Sequence, residues 1–238
     1  MPSYRIQTHP RARHVRLRVD RLGQVVVTVP PGFDRGRVAA LVSERGEWIR
    51  RVQGRFQRAR GELDNGLGGL RPERVELPAV DECWTVDYQS CRRRTVGFQA
   101  GEDRLMFRLP PDDADSLDDR IAEKLRGWLM DRARQLLPAM VDDLAETFGF
   151  QPGRITIRNQ RSRWGSCSAN GNLSLNARLL MASPAACRYV LIHELVHLEH
   201  PNHSRAFWRR VEQLDPGYRS ASKELRDLWL RLPEWVGF

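Results

Sequence analysis

Several absences narrow what this chain can be. No apolar run approaches the roughly 20 residues needed to cross a bilayer as a helix. The opening Met1-Pro-Ser-Tyr-Arg-Ile-Gln7 has no apolar signal region, so a cytoplasmic protein with no membrane partner is expected. Cysteine is sparse: Cys83, Cys91, Cys167 and Cys187 form no Cys-x-x-Cys pair, which leaves reduced thiols as the default and excludes a disulfide scaffold. Lysine is nearly missing, with Lys124 and Lys223 the only two among 39 cations. So strong an arginine bias reads as a chain-wide compositional habit.

What remains suits a folded globular protein. At 238 residues with 41% apolar and 29% charged side chains, the chain can bury a sizeable core in one large domain or two small ones. Its net charge of +9 and pI of about 10.2 raise nucleic acid as a partner for a basic surface, against the plainer reading of solvated arginines. Residues 1–60 hold 14 basic against 4 acidic side chains, residues 61–150 hold 12 against 19, and residues 151–238 hold 13 against 7.

The chemistry concentrates in Val190-Leu-Ile-His-Glu-Leu-Val-His-Leu-Glu-His-Pro-Asn-His203. On a helix, His193 and His197 stand one turn apart on the same face, so both imidazoles can reach one metal ion. A catalytic zinc takes three protein ligands and leaves a fourth position for water. His200 shares the face but lies about 10 Å along the axis from His193 by helical rise, an awkward span for one ion. Pro201-Asn202 should stop the helix, letting the chain turn His203 back as third ligand. Glu212 and Glu224 are the fallback third ligands. Glu194 is placed to act on zinc-bound water as general base. Ser183-Pro184 provides a capping hydroxyl and an N1 proline for this helix, whose Val190, Leu191, Leu195 and Val196 suit a buried position.

Arg163-Trp-Gly-Ser-Cys-Ser168, Gly171-Asn-Leu-Ser-Leu-Asn176, His193-Glu-Leu-Val-His197 and Asn202-His-Ser-Arg-Ala-Phe-Trp208 together resemble the YgjP-like zinc metallopeptidases, relatives of the SprT-like and Wss-type proteases. The similarity runs over nearly the whole chain, including Val25-Val-Val-Thr-Val-Pro-Pro-Gly32. It implies hydrolase chemistry, with His193, His197 and His203 as zinc ligands and Glu194 as catalytic base.

Elsewhere the patterning sketches the frame. Alternating Val15, Leu17 and Val19 predict a strand over 13–19, paired in a hairpin with 24–29 through the turn at 20–23. A helix should follow Phe33-Asp34, with Val38, Leu41, Val42, Trp48, Ile49, Val52 and Phe56 on one face and Arg45, Arg50, Arg51, Arg55 and Arg58 on the other. The glycines of 61–69 mark a connector. Strands are expected at 74–77, 83–89, 95–100 and 104–109, with Arg92-Arg93-Arg94 at a turn. A long helix over 116–148 should be kinked or split by Pro138. A strand at 154–159 precedes a hairpin of 164–168 and 172–176, turning at Asn170-Gly171, whose edge beside the histidines could hold an extended peptide. Helices are expected from Ser204 and over 219–232. Trp164 reads as packing, Cys167 as either part of that packed segment or a thiol near the metal, and Tyr218 as either a packing ring or an oxyanion donor.

The expected fold is α+β: a β-rich part with one helix over 1–110, then a mainly helical zincin-like core with a small antiparallel sheet over 111–238. The expected function is a zinc-dependent metallopeptidase cutting peptides or proteins by a Glu194-activated zinc-bound water. The alternatives are a basic nucleic-acid-associated protein with structural zinc, and a DNA-associated SprT-like protease.

Overall fold

The computed structural model of the chain describes residues 3–19, 23–61, 69–92, 94–111 and 114–237, with the backbone alone for 55–61 and 114–115. The fold is a mixed α+β arrangement of three small sheets and six α-helices among these residues. It divides into two compact units, Met1–Asp64 and Asn65–Phe238. The break between these compact units falls in the glycine-rich connector. Residues 62–68 of the expected connector, and the turn residues 20–22, lie outside the described residues.

In the first unit, β1 (Tyr4–Thr8), β2 (Arg16–Val19) and β3 (Val25–Val29) form a sheet in the order β1-β3-β2. β2 and β3 are the expected antiparallel pair. β1 was not expected; it runs parallel to β3, a non-local pairing that sequence spacing does not announce. The helical stretch after it is broken: a 3-10 turn at Arg35–Arg37, then α1 (Val38–Glu44) and α2 (Gly46–Gly61). Val38, Val42 and Ile49 cover the apolar face of β3.

The second unit opens with β4 (Arg74–Leu77), β5 (Glu82–Ser90), β6 (Gly97–Ala100) and β7 (Arg104–Leu109), ordered β4-β5-β7-β6. α3 (Ala114–Phe148) packs in the same core as this sheet, with Trp84 edge-on to Trp128 at 5.1 Å between ring centroids. Pro138 does not split α3, which runs as one 35-residue helix. Buried Ala133, Leu137, Val141 and Ala145 fix the helix on both sides of the proline, so tertiary packing outweighs the lost backbone donor.

Next come β8 (Ile155–Arg158), β9 (Gly165–Cys167) and β10 (Leu173–Asn176), ordered β8-β10-β9. The β9–β10 hairpin is antiparallel as expected, but β8 joins β10 in parallel, so this small sheet is mixed. Gly171 holds the hairpin turn at φ +73°, a left-handed conformation that glycine adopts without strain. α4 (Pro184–Val196) follows, then α5 (Arg205–Leu214) and α6 (Tyr218–Arg231). α4 is apolar on nearly all sides and accordingly buried, from Ala186 and Cys187 to Leu195 and Val196. No described helix is long and apolar enough to cross a membrane.

Candidate metal centre

α4 begins on the cap that its sequence specifies. The Ser183 hydroxyl accepts from the Ala186 amide, Pro184 occupies the first turn, and the Glu224 carboxylate accepts from both the Ser183 amide (3.1 Å) and its hydroxyl (2.8 Å). The helix ends at Val196, with His197 as its C-cap, so it stops before Pro201 and earlier than the proline alone required. The chain then turns, and Ser204 starts α5 by accepting from the Phe207 amide.

This route returns His203 to the α4 face. One ring nitrogen from each of His193, His197 and His203 lies within 4.8 Å of the others, and the Nε2 atoms of His193 and His203 are 3.0 Å apart. Phe207 seats all three rings, at centroid distances of 4.9, 4.6 and 4.8 Å from His193, His197 and His203. Trp208 stacks on His203 at 5.6 Å. The place of the His203 ring is thus fixed by the first turn of α5.

The group fits a tetrahedral metal. Bonds of 2.0–2.1 Å from one ion to imidazole nitrogens place those nitrogens about 3.3 Å apart, close to what two of the rings already show. Burial drives His193 far below the ordinary imidazole range, to about 3, and the neighbouring His197 and His203 push the same way. Burial also lowers His197. Neutral imidazoles are the form that ligates. Nδ1 of His197 stands 3.1 Å from the carbonyl of His200, so a proton there leaves Nε2 with a free lone pair. His200 enters the site through its backbone, not its ring.

Glu194 sits beside the histidines, 5% exposed. Burial raises its carboxyl group to about 7, against the opposing pull of the Arg163 guanidinium. The edge strand β9 runs close against it: a Cβ on Gly165 would stand 2.6 Å from Oε1 and 2.7 Å from Cγ of Glu194. Gly165 is thus more than the packing residue that its neighbours suggest. Trp164, in contrast, is packing, edge-on to Trp229 at 4.7 Å.

Asn176 is a second residue that pattern reading passes over. Fully buried, it donates from Nδ2 to the carbonyls of Gln160 (2.9 Å) and Arg163 (2.8 Å) and accepts from the Arg178 amide. It pins the segment that delivers Arg163 and Gly165. Asparagine in a Leu-Ser-Leu-Asn strand carries no signal of this role.

The other candidates fall outside the histidine group. Glu224 is engaged at the α4 cap, and Glu212 is exposed beside Arg219. Burial, with Glu194 nearby, raises the Cys167 thiol, whose hydrogen-bond partner is the Ser168 carbonyl. The Tyr218 oxygen accepts from Arg219, and its ring stacks on Trp208 at 5.7 Å. Tyr218 adjoins the histidines through Trp208 and Tyr189, whose rings both stand 5.8 Å from that of His193.

The model of the family described as YgjP-like, metallopeptidase domain, matches residues 13–228. This chain belongs to the YgjP-like metallopeptidase family. Membership implies a metal cofactor and hydrolysis of peptides or proteins, and it spans both units, the basic first unit included. Among solved structures, the YgjP-like chain is similar to one described as the crystal structure of the metallopeptidase zymogen of Pyrococcus abyssi abylysin. The identity is 25%, the TM-score 0.37, and the match covers 41% of this chain and 99% of that one. No curated protein matches.

Proposed function

We propose that this protein is a zinc-dependent metallopeptidase in which His193, His197 and His203 hold the ion and Glu194 is the general base. The observation that carries the reading is the convergence of three imidazole nitrogens within 4.8 Å, two of them from the stretch of α4 and its C-cap that also carries Glu194, a carboxyl group 5% exposed. A structural zinc site is normally closed by four side chains. Among the described residues this group has three, which favours a site with a position left for a reactant.

A bound zinc ion would supply Lewis-acid polarisation of a carbonyl and acidification of water. The protein's own groups do the rest. The His200 carbonyl orients the His197 ring, and Phe207 with Trp208 restrains the rings so that little reorganisation accompanies binding. Glu194 takes the proton of the attacking water on a carboxylate oxygen and returns it to the amine nitrogen that leaves. A carboxyl group can serve in both steps. β9 pairs with β10 on one side only, so its outer edge offers main-chain hydrogen bonds to an extended peptide running past Glu194.

The test is to incubate the zinc-loaded protein with a diverse peptide library and read new termini by mass spectrometry. Cleavage that stops with a chelator and returns with zinc is expected. Absence of cleavage across the library, with zinc bound, would remove the peptidase reading.

A further inference from the structure

The sheet of the first unit has two unlike faces. Register sets them: Tyr4 pairs with Val25 and Ile6 with Val27, and this side meets Val38, Val42 and Ile49 in an apolar cluster. The opposite side carries Arg5, Val26 and Arg18 in one cross-strand row and Gln7, Thr28 and Arg16 in the next. All three arginines are exposed, and no residue of these strands is a carboxylate. Among the described residues none of the three makes an ion pair. Val26 is only 1% exposed yet stands outside the apolar cluster, flanked by Arg5 and Arg18, whose aliphatic stems can cover it while their guanidinium groups stay in water.

The charge balance of the whole chain points to the same unit. Residues 1–64 hold fourteen arginines against six carboxylates, a net +8 of the chain's +9, while 65–238 hold twenty-five cations against twenty-four carboxylates. A chain-wide arginine habit explains residue choice but not this partition. The arginines of α2 are a weaker candidate, because Arg51 has Glu47 at 3.9 Å, and the side chains of Arg55 and Arg58 lie outside the described residues.

We propose that this sheet face docks on the phosphate backbone of a nucleic-acid duplex without reading its sequence. Adjacent strands are about 4.8 Å apart and alternate residues about 6.7 Å, so the three guanidinium groups rise from a patch about 10 Å by 7 Å, wide enough to address more than one phosphate. The face carries no aromatic ring on which unstacked bases could sit, which disfavours a single strand. It presents no exposed apolar residue to insert into a bilayer, which disfavours a lipid surface.

The full-length protein is titrated into a labelled DNA duplex of about 20 base pairs, with anisotropy read between about 50 and 200 mM salt. Binding that weakens linearly on a log–log plot is expected. The triple substitution Arg5→Gln, Arg16→Gln, Arg18→Gln should reduce the slope by about 2.7, at about 0.9 for each phosphate no longer neutralised, with an unchanged circular dichroism spectrum. The corresponding triple change to lysine should restore most of the slope, which separates loss of charge from loss of fold. Neutralising the exposed Arg108, Arg209 and Arg226 of the second unit should leave it unchanged. The proposal is overturned by no binding at the lowest salt, by an unaltered slope in the first triple variant, or by an equal effect of the control triple. Equal affinity for a single strand or for anionic phospholipid vesicles overturns it as well. None of these readouts depends on peptide cleavage.

Discussion

Gly165 and Glu194 occupy one space: the Cβ that any other residue would place at 165 falls 2.6 Å from Oε1 of Glu194 and 2.9 Å from its Cδ. The backbone of β9 therefore helps to set where the carboxyl group points. Gly165→Ala must displace one or the other. A misplacement on the order of 1 Å at a reacting group can cost about a hundredfold in rate. The expected outcome is a kcat lowered by about that factor with the zinc content of wild type. Equal kcat in the two proteins would show that the carboxyl group moves aside freely.

Asn176 should matter to stability more than its place in a short strand suggests. Asn176→Ala leaves the carbonyls of Gln160 and Arg163 without its amide, at a cost of about 1 kcal/mol for partly buried acceptors that lose a donor. Chemical denaturation should show a lower midpoint at an unchanged slope.

Away from the histidines, Arg132 and Trp84 both donate to Glu82, and the Arg132 hydrogen bond chiefly holds its carboxyl group below the ordinary value of 4.5. A carboxyl group lowered on folding contributes stability that is complete above its unfolded value and is lost as pH falls through the folded one. The protein should therefore lose stability on acidification below about pH 4.5, and Glu82→Gln should flatten that part of the profile while costing about 1 kcal/mol at neutral pH. A parallel downward shift with the same pH dependence would show that the pair is not coupled to proton uptake.

Zinc content separates the ligand set from its neighbours. About one zinc per chain is expected by elemental analysis. His193→Ala and His197→Ala should lose most of it, and His203→Ala should bind it weakly. Glu224→Ala should retain zinc and lose about 1 kcal/mol of stability with the α4 cap. Loss of zinc in Glu224→Ala or Glu212→Ala, with full occupancy in His203→Ala, would show that the third ligand is assigned wrongly.

These contrasts follow how far apart in sequence the interacting residues lie. The nearness of His193 and His197 was legible because one helical turn links them, and that of His203 because a chain break before Pro201 was expected, although the helix ends earlier, at Val196. The role of Gly165 was not, since β9 meets Glu194 only through folding across 29 residues. β1 escaped for the same reason, its short alternation gaining meaning only from parallel pairing with β3. Pro138 misled in the opposite direction: the rule that proline breaks helices is local, whereas Leu137 and Val141 are buried in a core built from elements distant in sequence. Trp84 and Trp128 likewise meet only through the fold, 44 residues apart in the chain.

The central claim rests on Glu194 being a base and not a ligand. Glutamine keeps its shape and its polarity but cannot accept a proton, so the decisive measurement is the cleavage rate of Glu194→Gln on a peptide that the wild type cuts, taken with its zinc content. The account predicts about one zinc per chain and a rate lower by about a hundredfold to ten-thousandfold. Cleavage at the wild-type rate by the zinc-loaded variant would contradict it.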